Sequence, residues 1–160
     1  KFIVSPGSDL EVIRYAKELG VYMLPGAVTP TEVMQLIKED IKVIKFFPAE
    51  NYGGLKTIKA ISAPFPNIKF VPTGGVSLSN LSTYLEFGKI AAVGGSWLCT
   101  KELIKDGKWD EITKLSKEAM DILGLAKNNL RLPLVSADAT TRAKLVSLLK
   151  EKGINYGKVF

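Results

Sequence analysis

Short apolar runs rich in β-branched and aromatic residues alternate along the chain with amphipathic stretches of about a dozen residues, the pattern that consecutive βα units with parallel strands produce. Five units are predicted: strand 2–5 with helix 8–19, strand 21–24 with helix 30–39, strand 43–47 with helix 54–61, strand 68–72 with helix 79–87, and strand 91–95 with the helical stretch 97–105. A further helix is predicted over 109–123. Several boundaries carry their own signals. Thr29-Pro30-Thr31-Glu32 places a capping hydroxyl before a proline at the first helical position, with Glu32 near the positive end of the helix. Gly20 and Gly88 are each predicted to close a helix in the left-handed conformation.

After Asn128-Asn129 the character changes to Leu130-Arg131-Leu132-Pro133-Leu134-Val135, then a predicted helix 137–152 closed by Gly153, then 154–160. Pro133 argues against a central strand, so this part reads as a βα-like or irregular tail with an edge strand at its end. The predicted organisation is a partial (β/α) domain over 1–127 and a C-terminal tail over 128–160.

The composition of 160 residues, 46% hydrophobic, 24% charged and 9% aromatic, is that of an ordinary globular domain. The apolar stretches fall well short of the ~20 residues that cross a bilayer, and Lys1-Phe2-Ile3-Val4-Ser5-Pro6 lacks the pattern of a signal peptide, so no membrane partner is expected. Cys99 is the single cysteine and offers no disulfide framework, which points to a cytoplasmic protein. The absence of histidine removes Ser-His and Cys-His nucleophile pairs and most zinc sites, leaving lysine and carboxylate chemistry. The formal charge of +6 comes from lysines scattered among Glu and Asp, a distribution that suits a phosphorylated metabolite better than nucleic acid.

Within Ile41-Lys42-Val43-Ile44-Lys45-Phe46-Phe47-Pro48 a lysine is out of place. An amine held among Val43, Phe46 and Phe47 would be desolvated toward the free base, the nucleophile that Schiff-base formation needs. Strand alternation puts Val43, Lys45 and Phe47 on one face and Lys42 and Ile44 on the other, while Lys69 lies at the beginning of its strand, the end that serves stability. The competing account of Lys45 is structural: it snorkels out, or pairs with a buried carboxylate.

In parallel βα folds ligands bind just past the strand ends. There the chain reads Ser5-Pro6-Gly7, Pro25-Gly26-Ala27-Val28-Thr29-Pro30, Lys45-Phe46-Phe47-Pro48-Ala49-Glu50, Pro72-Thr73-Gly74-Gly75-Val76 and Gly94-Gly95-Ser96-Trp97. Gly74-Gly75 and Gly94-Gly95-Ser96 read as two backbone amide cradles for an anion, Ser96 adding a hydroxyl and a helix-start dipole; paired glycines also occur simply as turns. Thr73 reads as a hydrogen-bonding partner for a substrate carboxylate or hydroxyl, or as a turn former. Glu50 reads as a solvated loop or helix-start acid, Trp97 and Phe65 as packing residues, and Cys99 as a small core residue.

These five strand-end motifs, in order over residues 1 to about 125, closely resemble the signatures of the 2-keto-3-deoxy-6-phosphogluconate (KDPG) aldolase family. The resemblance implies an α/β fold of the (β/α)8 TIM-barrel type, usually a trimer, and a class I aldolase that reversibly cleaves KDPG into pyruvate and glyceraldehyde 3-phosphate; relatives act on 4-hydroxy-2-oxoglutarate or the galactonate epimer. It implies Lys45 as the imine-forming residue, Pro6 and Phe47 as walls of the pyruvyl pocket, Thr73 as a substrate contact, and Gly74, Gly75 and Ser96 as the phosphate site, with no metal or cofactor. In the family the acid/base glutamate, an arginine and a threonine for the pyruvate carboxylate come from the first three strands, and residue 1 already falls in the fourth. The chain is therefore expected to be a portion of a longer protein. The other accounts are a half-barrel rebuilt around 129–160 and a tail that completes a sheet in a partner chain, with Glu50 and Glu32 as carboxylates to test for the missing acid/base.

Overall fold

The computed structural model describes residues 2–124. Their elements run β1 (Phe2–Val4), α1 (Leu10–Glu18), β2 (Tyr22–Leu24), α2 (Pro30–Lys38), β3 (Val43–Phe46), a 3₁₀ turn Glu50–Tyr52, α3 (Gly54–Ser62), β4 (Lys69–Pro72), α4 (Leu78–Leu85), a 3₁₀ turn Ser96–Leu98, α5 (Lys101–Lys105) and α6 (Trp109–Ile122). The chain divides into two compact units, Lys1–Leu115 and Ser116–Phe160. The predicted tail features, with Pro133, helix 137–152, Gly153 and the edge strand in 154–160, lie outside the described residues.

The first unit brings five segments side by side in chain order, all parallel. β1 pairs with β2 in the register Phe2↔Tyr22 to Val4↔Leu24, and β3 pairs with β4 from Val43↔Lys69 to Phe46↔Pro72. Between these ladders, the Lys45 amide donates to Pro25 O at 2.8 Å and the Ala27 amide donates to Lys45 O at 3.0 Å. Beyond β4, Ala91 and Gly94 donate to Phe70 O and Pro72 O at 2.9 and 3.0 Å. This consecutive parallel order is that of a (β/α) barrel wall. The predicted strand 91–95 is present only as the bridges Phe70↔Ile90 and Thr73↔Gly94. Its glycines, with no side chains to pack, shorten the ladder.

β3 and β4 show the predicted period of two. Ile44, Phe46, Phe70 and Pro72 are buried, whereas Val43, Lys45, Lys69 and Val71 are half-buried. The buried set joins Val33 and Leu36 of α2, Ile58 and Ile61 of α3, and Leu81 and Tyr84 of α4 in the core, which therefore lies on the helix side of the sheet. Phe46 and Phe70 meet edge-to-face with centroids 6.3 Å apart, an arrangement worth ~0.5–1.5 kcal/mol beyond the area it buries.

Caps set the helix limits. Asp9 accepts from the Glu11 and Val12 amides, so α1 starts at Leu10 rather than at Ser8. Thr29 and Glu32 form the reciprocal capping box at α2, with Pro30 as the first helical residue. Thr100 accepts from the Leu103 amide and begins α5, splitting the predicted stretch 97–105 into a 3₁₀ turn and a short helix. Gly20 is left-handed, φ +65°, as predicted, but Gly88 is not, and Asp40 takes that conformation after α2 at φ +60°.

Candidate active site

The C-terminal ends of the parallel segments bring the candidate residues together. Lys45 is the third residue of β3, its own N–H and C=O both bonded to the segment after β2, and its Cα paired in register with Val71 of β4 on the other side. Anchorage on both sides fixes where its side chain leaves the sheet: the face shared by Val43 and, across the ladder, Lys69 and Val71. Its Nζ lies 4.8 Å from the centroid of the Phe47 ring. Phe46, expected beside the amine, is fully buried on the opposite face, so the apolar company of Lys45 is Val43 and Phe47. Among the described residues Lys45 makes no ion pair, which removes the buried-carboxylate account of this lysine there. Lys42 is exposed, and Lys69 sits at the start of β4 opposite Val43, both away from the strand end.

Thr73 follows β4, its amide donating to Phe46 O at 3.0 Å. Its hydroxyl oxygen is buried and has no hydrogen-bond partner among the described residues, so a ligand oxygen arriving there would relieve an unsatisfied group. Gly74 and Gly75 are both left-handed, φ +93° and +79°. The bridge Thr73↔Gly94 holds the two glycine loops side by side, and a β-carbon on Gly94 would come within 2.5 Å of Thr73 Cγ2. Among the described residues the N–H groups of Gly74, Gly75, Gly95 and Ser96 have no partner. Gly94 differs from its expected role: its N–H is engaged with Pro72 O, so it packs and pairs but is not free to bind an anion. Ser96 is exposed and opens a 3₁₀ turn of three residues, not a helix, so no helix-start dipole acts at its hydroxyl. Pro6 is exposed in the loop after β1, and its carbonyl oxygen presses on Gly26, where a β-carbon would sit 1.9 Å away. Gly26 in turn bridges Lys45, so Pro6, Gly26 and Lys45 lie on three successive segments.

The two carboxylates that needed testing are both occupied. Glu32 accepts from the Val28 and Thr29 amides, each at 2.9 Å, and from the Thr29 hydroxyl at 2.7 Å. Burial works to raise its carboxyl, but the three donors outweigh it and hold the group below its ordinary value of 4.5. Glu50, expected to be a solvated acid, is an exposed residue whose carboxylate nonetheless accepts the hydroxyl of the buried Tyr84. Burial first, and then Glu50, push the Tyr84 hydroxyl far above its ordinary value, so it stays a donor. Sequence reasoning missed this pair. The signal that was available is the phenol of a residue spaced with Leu81 and Leu85 on one helix face, since a buried hydroxyl requires a partner.

Cys99 was expected in the core and is exposed, because it ends the 3₁₀ turn before α5. Trp97 does pack: its ring occupies the place of a β-carbon on Gly95, and its buried indole N–H has no partner among the described residues. Phe65 lines a cavity of about 380 Å³ with Ile37, Lys42 and Asn67 before β3 and β4, and a second cavity of about 280 Å³ runs past Tyr22 and Asp40. Both lie at the opposite ends of the strands from Lys45 and Thr73. Their size alone carries no chemistry, whereas the strand ends combine an amine, an unsatisfied hydroxyl and free amides.

The family model described as "Aldolase: KDPG and KHG aldolase" matches residues 1–115, the same span as the first compact unit. The 2-dehydro-3-deoxy-phosphogluconate aldolase of Pseudomonas aeruginosa is 42% identical over 120 residues, covering 75% of this chain and 54% of that protein. The enzyme of the same name from Haemophilus influenzae is 38% identical over 122 residues, covering 76% and 58%. Among solved structures, KDPG aldolase from Legionella pneumophila, with pyruvate captured at low pH as a covalent carbinolamine intermediate, is 37% identical with a TM-score of 0.70, covering 76% of this chain and 57% of that one. The chain thus spans little more than half the length of the relatives it matches.

Proposed function

The chain belongs to the KDPG and KHG aldolase family, and from that premise we propose that it carries the imine-forming site of a class I aldolase that reversibly cleaves KDPG into pyruvate and glyceraldehyde 3-phosphate. The observation that carries the reading is Lys45 Nζ, free of ion pairs among the described residues and seated over Phe47 at the end of β3, one strand away from the unsatisfied hydroxyl of Thr73. The amine attacks the keto carbon to give a carbinolamine, which loses water to form an imine. A water molecule takes the proton of the substrate's C4 hydroxyl as the protonated imine accepts the electron pair of the breaking C3–C4 bond and the aldehyde departs; protonation and hydrolysis of the enamine then release pyruvate and restore the lysine. Phe47 and Pro6 wall the pyruvyl end, Thr73 hydrogen-bonds the substrate, and Gly74, Gly75 and Ser96 receive the phosphate through free N–H groups and a hydroxyl. The protein acts as a homo-oligomer, a trimer by family resemblance, in the cytoplasm, where its lone exposed thiol suits a reducing medium.

Pyruvate with borohydride should trap a covalent adduct on Lys45, detected by mass spectrometry. Lys45→Ala should abolish the adduct while leaving the unfolding midpoint nearly unchanged. A folded sample that forms no adduct overturns the proposal. Ser96→Ala should weaken inorganic phosphate binding by roughly 1.5–3 kcal/mol, one hydrogen bond to a charged group; unchanged affinity removes Ser96 from the site.

A second reading has its own support: Glu32 and Glu50 are both engaged, so neither stands free as the acid/base. In that version the described residues bind phosphate without turnover. Phosphate binding by a sample inactive toward KDPG would favour it.

A further inference from the structure

We propose that Glu50, anchored by Tyr84, is a positioning residue that aims the free N–H groups of Gly74 and Gly75 at the phosphate. The proposal deepens the function reading above and rests on its phosphate site.

The Ala49 amide donates to Thr73 O at 2.8 Å and the Glu50 amide donates to Gly74 O at 3.1 Å. A trans peptide unit is planar, its C=O and N–H pointing in opposite directions. Pinning Thr73 O therefore turns the Gly74 N–H away from the Ala49–Glu50 segment, and pinning Gly74 O does the same for Gly75. The next carbonyl, Gly75 O, accepts from Asn80 Nδ2 at 3.2 Å. Three carbonyls are thus held, and the two glycine N–H groups lie on the other side without partners among the described residues.

What holds Glu50 is its side chain. Cβ and Cγ fill the space beside Gly75, where an added β-carbon would be only 2.5 Å from each. The carboxylate then passes over Gly54 to the Tyr84 hydroxyl; a β-carbon on Gly54 would lie 2.8 Å from Glu50 Oε1 and 2.9 Å from Tyr84 Oη. Tyr84 is 2% exposed and belongs to α4, the helix the turn itself leads into, so turn, helix, phenol and carboxylate close a ring. This route also explains how an acid is tolerated beside an anion site. The hydroxyl draws the negative charge toward the core, away from the direction in which the N–H groups point.

The test uses the full chain with Tyr84→Phe, Glu50→Ala and Glu50→Gln. It reads three quantities: inorganic phosphate affinity by NMR titration, amide exchange at residues 49 and 50, and the pyruvate–borohydride adduct on Lys45. Tyr84→Phe and Glu50→Ala should weaken phosphate by about tenfold and speed exchange at residue 50 to a similar extent, the cost of one hydrogen bond, with the Lys45 adduct retained. Glu50→Gln keeps an oxygen for the phenol and should restore both affinity and exchange. Faster exchange with unchanged phosphate affinity overturns the proposal, leaving the pair a structural one, and so does no change in either. If Tyr84→Phe does not fold, Glu50→Ala decides alone, since residue 50 is exposed. Wild-type protein that forms the Lys45 adduct yet binds no phosphate refutes the phosphate site itself, and the inference with it.

Discussion

Phe2, Ile3 and Val4 of β1 are 64, 40 and 47% exposed, whereas Ile44 and Phe46 of β3 are fully buried. Both strands are short, apolar and parallel to a neighbour, and both run into a proline-containing loop. The difference is position. β3 has bonded segments on each side and core beneath it, while β1 among the described residues pairs with β2 alone and exposes all three residues. Val12 and Tyr15 of α1, Leu19 at its end and Tyr22 of β2 are exposed as well. A strand apolar on both faces has the composition of one covered on both, so β1 has a sequence more buried in character than its surroundings among the described residues. Among the described residues burial is therefore concentrated around β3 and β4, the pair that carries Lys45 and leads into Thr73.

The sharpest way to break this comparison is to truncate both regions. Phe46→Ala should cost about 3–5 kcal/mol in urea unfolding, and Phe2→Ala no more than about 0.5 kcal/mol. Comparable losses would mean that β1 is covered in solution. Gly26→Ala should cost about 1–3 kcal/mol, because the new methyl meets the Pro6 carbonyl with backbone on both sides. Gly7→Ala, with nothing within 4 Å, should stay within about 0.5 kcal/mol and so separate crowded loop from open loop.

A loss below those at Phe46 and Gly26 is expected at the seam between the two regions, where α2 begins. The Glu32 carboxyl is held below its ordinary 4.5, so its contribution is complete above about pH 4.5 and is lost as pH falls through the lower folded value. Glu32→Ala should cost about 0.5–1.5 kcal/mol at pH 7, and the gap to wild type should narrow in acid, read from urea midpoints across the range. A gap that widens in acid contradicts the sign.

Residue by residue, legibility tracked how local each determinant is. The capping box at Thr29 and Glu32 is contained within four consecutive residues, and the alternation that separates Lys45 from Ile44 and Phe46 within a single strand. Both could be read directly. The Glu50–Tyr84 pair spans 34 positions, and no spacing rule links a loop acid to a phenol that far along the chain. Ser96 was read as the start of the helical stretch 97–105; Thr100 caps α5 instead, which begins at Lys101, four residues later.

Periodicity, caps and strand-end motifs by themselves determined the βα order, the face that Lys45 shares with Val43 and the family, because each depends on neighbours within a turn or a strand. Only the tertiary structure decided that, among the described residues, Gly94 gives its N–H to the sheet while Gly74 and Gly75 keep theirs, that Glu50 is tied to the core, and that β1 is open where β3 is closed. Those outcomes depend on which segments meet in space, and hydrogen-bond partners and burial are assigned only when they do.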